Sequence, residues 1–289
     1  MFRFEMKKYF LSKMIILIIV GFALIKLGVS YFSLNISVPF KEILYEKYLI
    51  MWDGTLNAKK ADEIEVEKAR LESIIANYGM YEEQYHNGEI EFKEFFAHAK
   101  EYDTAEAEYG AMMEVYSKYQ YFQTTDEHVE FFYDLEIIEF IGLFQRDIIM
   151  ALLLCFIISI VADMDFNREL AMVIKSQPEG RARFEVTKIL GVACVSAIIA
   201  FIFIGLDLIM YGCRYSFENW DRTIYSIQSM ANFPVNVPVA AVVGILSFIK
   251  ILASVIMGEV VLLINKISKK MFLAIFISVV VVVVFSLAK

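Results

Sequence analysis

Three ionisable side chains stand inside long apolar runs of this sequence, where charge is rare. They are Asp207, Lys250 and Glu259, with Lys250 near the middle of its run and Glu259 nine positions further along. A charged group at membrane depth is unfavourable unless it is paired, and usually faces a bundle interior or a cavity. We interpret the three as the lining of a translocation path or as a polar contact between subunits. Lys26, in the first apolar run, adds a second cation. The alternative is that these charges snorkel to a polar surface or form a purely structural pair, and we favour it for Lys26.

A short polar segment, "RELAMVIKSQPEGRARFEVTKIL", separates two of these apolar runs. Its apolar residues recur at the three- and four-residue spacing of an amphipathic helix. The members of that predicted helix, with two polar residues that could contact a partner, are Phe166, Glu169, Leu170, Val173, Ile174 and Arg181. Pro178 and Gly180 should end the helix in a sharp turn before the next run. The pattern predicts a surface helix joined by a turn to a membrane span.

No other residues form a pattern of catalysis or cofactor binding. The sequence has no G-x-x-x-x-G-K-[ST] motif, so we do not expect it to bind ATP through a P-loop. His86, His98 and His128 are not spaced at i,i+3 or i,i+4, and the three cysteines have neither zinc nor disulfide spacing. We therefore predict no catalytic residue, no metal, no cofactor and no nucleic-acid partner.

Five long runs of apolar residues must position these groups. A run of about 18 or more apolar residues predicts a transmembrane helix, because about 20 residues cross about 30 Å of hydrocarbon. The run 148–162 reaches this length only together with Ile137–Phe144, which would leave Arg146 and Asp147 at the outer interface. The last run, 272–288, is at the short limit.

The predicted fold class is all-α: a polytopic membrane helix bundle with a helical extracellular domain inserted between the first and second spans. The predicted boundaries, in chain order, are 1–34 for the N-terminus and first span, 35–142 for the extracellular domain, 143–163 for the second span, 164–188 for a cytoplasmic loop, 189–211 for the third span, 212–238 for an extracellular loop, 239–264 for the fourth span, and 265–289 for a turn and the fifth span.

Lysine and arginine are concentrated in three places, each two predicted spans from the next. These are the N-terminus, the segment 168–188 and the turn 266–270. Because cationic loops stay in the cytoplasm, this alternation predicts a multi-pass protein of the cell membrane with a cytoplasmic N-terminus. A cleaved signal peptide in place of the first span stays open as an alternative.

The predicted extracellular domain is acidic. Residues 41–140 contain 24 Asp and Glu against 9 Lys and Arg, a net charge of −15, while the whole chain has −8. Apolar stripes at helical spacing and the turn residues Gly79–Gly88 predict two long antiparallel helices. The charge favours a cationic partner such as a cationic peptide, although the acids could serve solubility alone.

The segment "MVIKSQPEGRARFEVTKIL" resembles the cytoplasmic loop of ABC-2-type exporter permeases, in which a Ser/Thr-x-Pro-x-x-Arg turn is followed, ten residues after the Pro, by a Lys that opens the next span. "SIQSMANF" and the domain that starts "YEKYLIMWDGTL" are also similar to Gram-positive members. This chain lacks the Glu-x-x-x-Gly-Thr run usual before the turn, and it has five predicted spans where that family has six.

The resemblance implies a specific function. Such permeases pair as homo- or heterodimers and dock on a cytoplasmic ATPase, so the segment Phe166–Ile174 would be the coupling helix and ATP hydrolysis would take place on the partner. The expected function is the permease subunit of a bacterial ATP-driven exporter of peptides or other amphipathic molecules. A membrane-anchored binding or sensor protein, or an integral membrane enzyme, stays open as an alternative.

Overall fold

The structure is a computed structural model that describes residues 6–7, 12–34, 40–125, 128–145, 147–166, 178–268 and 270–287. It is nearly all α-helical. The chain divides into two compact units. We call the first, formed by Met1–Ile36, Ile137–Phe217 and Val243–Lys289, the bundle, and the second, formed by Ser37–Glu136 and Glu218–Val242, the hairpin domain.

The bundle consists of apolar helices. Their bounds, in chain order, are α1 Lys13–Leu34, α5 Leu135–Gln145, α6 Ile148–Phe166, α7 Pro178–Arg214, α8 Val239–Ser268 and α9 Met271–Leu287. The first residues of α5, up to Glu136, and of α8, up to Val242, belong to the hairpin domain. The described chain has four stretches long and apolar enough to cross a membrane: Lys13–Phe32, Leu135–Asp163, Ala182–Arg214 and Val239–Ser268. These four match the first four predicted spans, as expected for a multi-pass membrane protein.

The fifth predicted span is a shorter helix than the others. Helix α9 has 17 residues, and at 1.5 Å per residue it covers about 25 Å, less than the about 30 Å of a typical hydrocarbon core. Its run of valines is helical, as expected where a lone strand would leave its backbone groups unpaired in lipid. It contacts α6, the helix that also contacts α1 and α7.

Aliphatic residues fill the core of the bundle, with α6 at its centre. Leu153, Ile157 and Val161 of α6 are fully buried, as are Val192 and Ile199 of α7. Helix α8 approaches this core at Gly258, where an added Cβ would lie 2.2 Å from Ser196 Oγ and 3.2 Å from both Ile158 Cδ1 and Val192 Cγ1. Close approach at small residues is a common way for membrane helices to pack, because lipid provides little hydrophobic drive between them.

Helix α7 begins at Pro178, so the turn predicted at Pro178–Arg181 is wrong. Proline fits the first position of a helix, because its fixed φ suits helical geometry and the N–H it lacks has no partner within the helix. The sequence pattern predicts a helix break at this proline, but the proline instead starts a helix of 37 residues that continues through the third predicted span.

The hairpin domain is built on two long helices, α3 Ala58–His86 and α4 Phe92–Thr124, preceded by α2 Phe40–Met51. Helix α2 begins at Phe40, directly after Pro39. Asn57 caps α3 by accepting a hydrogen bond from Lys60 N at 2.9 Å. The turn between the long helices contains Gly88, whose φ of +73° favours glycine. The predicted antiparallel helical hairpin is therefore present.

Aromatic side chains fill the core of the hairpin domain. Trp52 is fully buried and stacks on Tyr48 with ring centroids 5.4 Å apart. Phe131 is also fully buried and lies in a two-residue strand, β2 Glu130–Phe131, which pairs antiparallel with β1 Gly54–Thr55. This small sheet joins the end of α2 to the residues that follow α4.

The segment Glu218–Val242 is part of the hairpin domain, whereas the sequence predicted a separate extracellular loop at 212–238. It contains three short 3-10 turns between Glu218 and Met230. Ser226 Oγ accepts a hydrogen bond from Glu130 N at 3.0 Å, and Thr223 Oγ1 donates to His128 O at 2.9 Å. These contacts join residues more than 90 positions apart, which a local pattern could not reveal.

Candidate functional site

Four buried charges from four parts of the sequence meet inside the bundle. Asp147 Oδ2 lies 3.3 Å from Lys26 Nζ and 2.9 Å from Lys250 Nζ. Asp207 Oδ1 lies 2.9 Å from Lys26 Nζ, and its Oδ2 lies 3.0 Å from Lys250 Nζ. Each ammonium group therefore contacts both carboxylates, and we call these four residues the charge cluster.

Each member of the charge cluster comes from a different candidate span. Lys26 is on α1, Asp207 on α7 and Lys250 on α8, while Asp147 stands between α5 and α6. Its side chain caps α6, because Met150 N donates to Asp147 Oδ1 at 3.2 Å. An interrupted helix at membrane depth is tolerated where protein covers the break, and here the interruption supplies a carboxylate to the cluster.

Burial makes the charge cluster energetically demanding. The four side chains are only 3–9% exposed, and they sum to no net charge. Asp147 Oδ2 is close to two ammonium groups, but neither contact has the angle of a good hydrogen bond, so the attraction is mainly electrostatic. Phe144 adds a ring face 4.2 Å from Lys250 Nζ. Removing one partner of such a buried group strands a charge and is strongly destabilising.

The shared contacts suit the charge cluster to rearrangement. Because each lysine contacts two carboxylates, one helix can shift and lose one ion pair while its charge keeps another. An isolated pair would expose an uncompensated charge during the same movement. The cluster contains no nucleophile, and its chemistry is the pairing of opposite charges between helices.

The structure brings together two of the three ionisable residues predicted from the apolar runs, Asp207 and Lys250. Of the alternative favoured for Lys26, the structure has the ion pairing, with two carboxylates, but its side chain is 7% exposed and does not reach solvent as a snorkelling lysine would. Asp147 was expected at the outer interface and is instead buried in the cluster. Sequence reasoning missed its role, although one signal was present: Asp147 adjoins an apolar run, and opposite charges in apolar surroundings are stabilised by pairing.

Glu259 is not part of the charge cluster. It lines a cavity of about 210 Å³ between α7 and α8, with Lys188 and Lys266 among its neighbours.

The predicted coupling helix lies almost wholly outside the described residues. Glu169, Leu170, Val173 and Ile174 are not described; Phe166 is the last residue of α6, and Arg181 lies in the first turn of α7. The role of these six residues stays a prediction. Among the described residues, no group of three or more His, Cys, Asp or Glu side chains could hold a metal ion.

The hairpin domain has a second buried ion pair of a different kind. Lys118 Nζ donates to Asp134 Oδ2 at 2.9 Å and to Phe132 O at 3.3 Å. Tyr45 donates its phenol to Asp134 Oδ1 at 3.1 Å. Burial lowers the pKa of Lys118, with Asp134 opposing the shift, and raises the pKa of Tyr45. Every oxygen of the carboxylate has a directed partner, as in a structural pair.

The turn end of the hairpin is aromatic and exposed. No residue between Leu71 and Ala105 is buried, and Phe92 and Phe96 are 63% and 60% exposed. Stacked ring pairs connect the two helices here: Tyr81–His98 with centroids 3.7 Å apart, Tyr78–Tyr102 at 4.2 Å and Tyr85–Phe95 at 4.6 Å. We call residues 72–104 the hairpin tip.

Comparisons of the chain with protein-family models, with curated proteins and with solved structures found no match.

Proposed function

We propose that this chain is the membrane-embedded permease subunit of an ATP-driven exporter of the ABC-2 class. The charge cluster carries the proposal. A transport protein needs helices that move between two arrangements. Because each lysine of the cluster contacts both aspartates, the buried charges can stay compensated during such a movement. A membrane anchor needs no buried charges in its spans, so the cluster favours the permease over the anchored sensor.

Helix α7 supports the proposal mechanically. It runs without interruption from Pro178, next to the loop that resembles the permease coupling loop, to Arg214. Asp207 stands 29 residues after Pro178, about 44 Å along the helix at 1.5 Å per residue. A push on the loop end can therefore reach the charge cluster through one rigid element. This link is stiffer than the turn predicted from the sequence.

The orientation is part of the same proposal: a cytoplasmic N-terminus and an extracellular hairpin domain. A single cysteine at Asn87 or at Glu179, with Cys155, Cys194 and Cys213 replaced by serine, tests it with a membrane-impermeant thiol reagent on intact cells. We expect only the Asn87→Cys chain to react. Labelling at Glu179→Cys alone would reverse the orientation and remove the coupling role of the loop.

The partner ATPase supplies the decisive experiment. We expect a P-loop ATPase without membrane spans to be encoded beside the gene of this chain. The tagged chain is expressed with that ATPase, purified in detergent, and assayed for copurification and ATP hydrolysis. Leu170→Asp should place an unpaired carboxylate at an apolar contact and abolish both, while the chain still reaches the membrane. Leu170→Met is the matched control and should behave as the wild type. Full ATPase binding and hydrolysis in Leu170→Asp would refute the proposed coupling helix.

A cationic amphipathic peptide is the proposed external partner or cargo. The net charge of −15 over residues 41–140 attracts cations, and the exposed rings of the hairpin tip offer apolar and cation–π contacts. Titration of the full chain with a synthetic Lys/Leu peptide should show binding that weakens as salt rises, and Phe92→Ser with Phe96→Ser should weaken it further. A Glu/Leu peptide of equal length is the control. No binding of the Lys/Leu peptide at low salt would end this idea.

A further inference from the structure

The cavity between α7 and α8 contains a carboxylate oxygen that lacks a hydrogen-bond donor. Glu259 Oε1 is shielded from solvent and has no hydrogen-bond partner among the described residues. A buried carboxylate oxygen that loses its water and gains no donor is strongly unfavourable. The position therefore calls for a donor from outside the protein, preferably a cation.

Two lysines line the same cavity and could meet an anion. Lys188 is 6% exposed, and Lys266 Nζ lies 3.2 Å from Glu185 Oε2 with more than half of its own side chain exposed. The cavity thus presents cationic and anionic groups together. A ligand complementary to it carries both an ammonium and a phosphate.

The remaining wall of the cavity is apolar and continues onto the outside of the helices. Ile189 and Leu263 both line the cavity, and they are 47% and 56% exposed. Both belong to helices that can cross a membrane, so the exposed part of each is suited to contact acyl chains. The volume of about 210 Å³ lies below the about 300–1,000 Å³ of drug-sized sites, which suits a small headgroup.

We infer that this cavity binds the headgroup of a phospholipid with a primary amine, as in phosphatidylethanolamine. The ammonium donates to Glu259, the phosphate lies against Lys188 and Lys266, and an acyl chain follows Ile189 and Leu263. Phosphatidylcholine has no N–H to donate, and phosphatidylglycerol has no cation, so neither satisfies Glu259 in the same way. The site needs neither nucleotide nor ATPase, so it can fail or hold independently of the proposed transport function.

Native mass spectrometry of the full chain in detergent tests the inference with three phospholipids that share their acyl chains. We expect phosphatidylethanolamine adducts to exceed phosphatidylcholine adducts about tenfold, the ratio that one charge-assisted hydrogen bond can provide. This comparison uses the unmodified chain, so it does not depend on how a variant folds. Soluble phosphoethanolamine should compete far more weakly, because it lacks the acyl chains; equal competition would refute the apolar part of the site.

Two variants locate the contacts. Glu259→Gln keeps the side-chain size but loses its charge, and should erase the preference for phosphatidylethanolamine, whereas Lys266→Gln should weaken all three phospholipids because they share a phosphate. Glu139→Gln, at an exposed carboxylate of α5, is the matched control and should change nothing. Equal binding of the three headgroups by the unmodified chain, or a preference that survives in Glu259→Gln, would overturn the inference.

Discussion

The bundle and the hairpin domain each bury lysine against aspartate, but they do so differently. In the hairpin domain, Lys118 and Asp134 form one pair whose remaining groups are met by a backbone carbonyl and by the phenol of Tyr45. In the bundle, two lysines share two aspartates. A closed pair with directed hydrogen bonds holds one geometry, whereas a shared cluster keeps its charges compensated in more than one geometry.

The two regions also differ in how they pack. The hairpin domain fills its core with large rings such as Trp52 and Tyr48, which remove much apolar surface from water. The bundle relies on aliphatic residues and on a close approach at Gly258. Water drives the first kind of packing, and shape complementarity carries more of the second.

The largest effect is expected from breaking the charge cluster. Asp207→Asn leaves Lys26 and Lys250 with a single carboxylate, and should destabilise the bundle by about 3–5 kcal/mol. Thermal unfolding of the purified chain can be followed with a thiol-reactive dye, because Cys155 is fully buried. Cys194→Ser and Cys213→Ser remove the partly exposed and the exposed thiol. The charge-balanced double variant Asp207→Leu with Lys250→Met is the control, and should lose much less stability. Equal losses in the two chains would contradict an electrostatic cluster.

The hairpin pair should respond in the same direction but without a functional consequence. Lys118→Met strands Asp134 beside Tyr45 and should destabilise the hairpin domain by about 3 kcal/mol, measured by thermal unfolding of the full chain with circular dichroism. Adding Asp134→Leu should restore most of the loss. Under the proposed function, the restored chain should still support ATP hydrolysis by a copurified ATPase, whereas the charge-balanced variant of the bundle should not. Loss of activity in both would remove the distinction between a fixed pair and an exchanging cluster.

The close approach of α8 gives a smaller, steric effect. Gly258→Val places a branched side chain where a Cβ alone would lie 2.2 Å from Ser196 Oγ, and overpacking of this kind usually destabilises by about 1–3 kcal/mol. Gly244→Val on the same helix is the matched control, since nothing lies within 4 Å of its added Cβ. We expect a lower unfolding temperature for the first variant alone. A similar shift in both would mean that helix flexibility, and not contact, is the cause.

The smallest effect concerns alkaline pH and the hairpin domain. Burial, and secondarily Asp134, raises the pKa of Tyr45 above its ordinary value of 10.0. The unfolded chain then releases this proton first, so the stabilising contribution is present below about pH 10 and is lost as pH rises. Tyr45→Phe should lower stability by about 1 kcal/mol at neutral pH, through the lost hydrogen bond. It should also flatten the alkaline decline in unfolding temperature. An unchanged decline would show that Tyr45 does not contribute to it.

Periodicity and length in the sequence were enough to predict the apolar helices and the helical hairpin, because both follow from local composition. The ion pairs could not be predicted in the same way. Whether Asp207 meets Lys26 depends on the rotation of two helices about their axes, which a single sequence does not record. The sequence predicts that Asp147 lies at the polar end of a span. In the structure Asp147 caps α6, which interrupts that span and brings its side chain into the charge cluster.

Proline and short strands explain the other differences. Pro178 can end one helix or begin another, and only the chain that follows it decides between them. The pairing of Gly54 with Phe131 joins two-residue strands, which are too short for an alternating pattern. The sequence could not assign Ser226 and Thr223 to the hairpin domain either. Their partners, Glu130 and His128, are separated from them in the sequence by bundle helices.

The hairpin tip has a consequence for how this protein can change over generations. Since no residue between Leu71 and Ala105 is buried, substitutions there remove little core packing, and surface changes usually alter stability by no more than about 0.5 kcal/mol. The base of the same two helices holds Trp52, Lys118 and Phe131 and tolerates few replacements. Evolution can therefore change the surface chemistry of the tip, and with it what the tip binds, while the base maintains the fold.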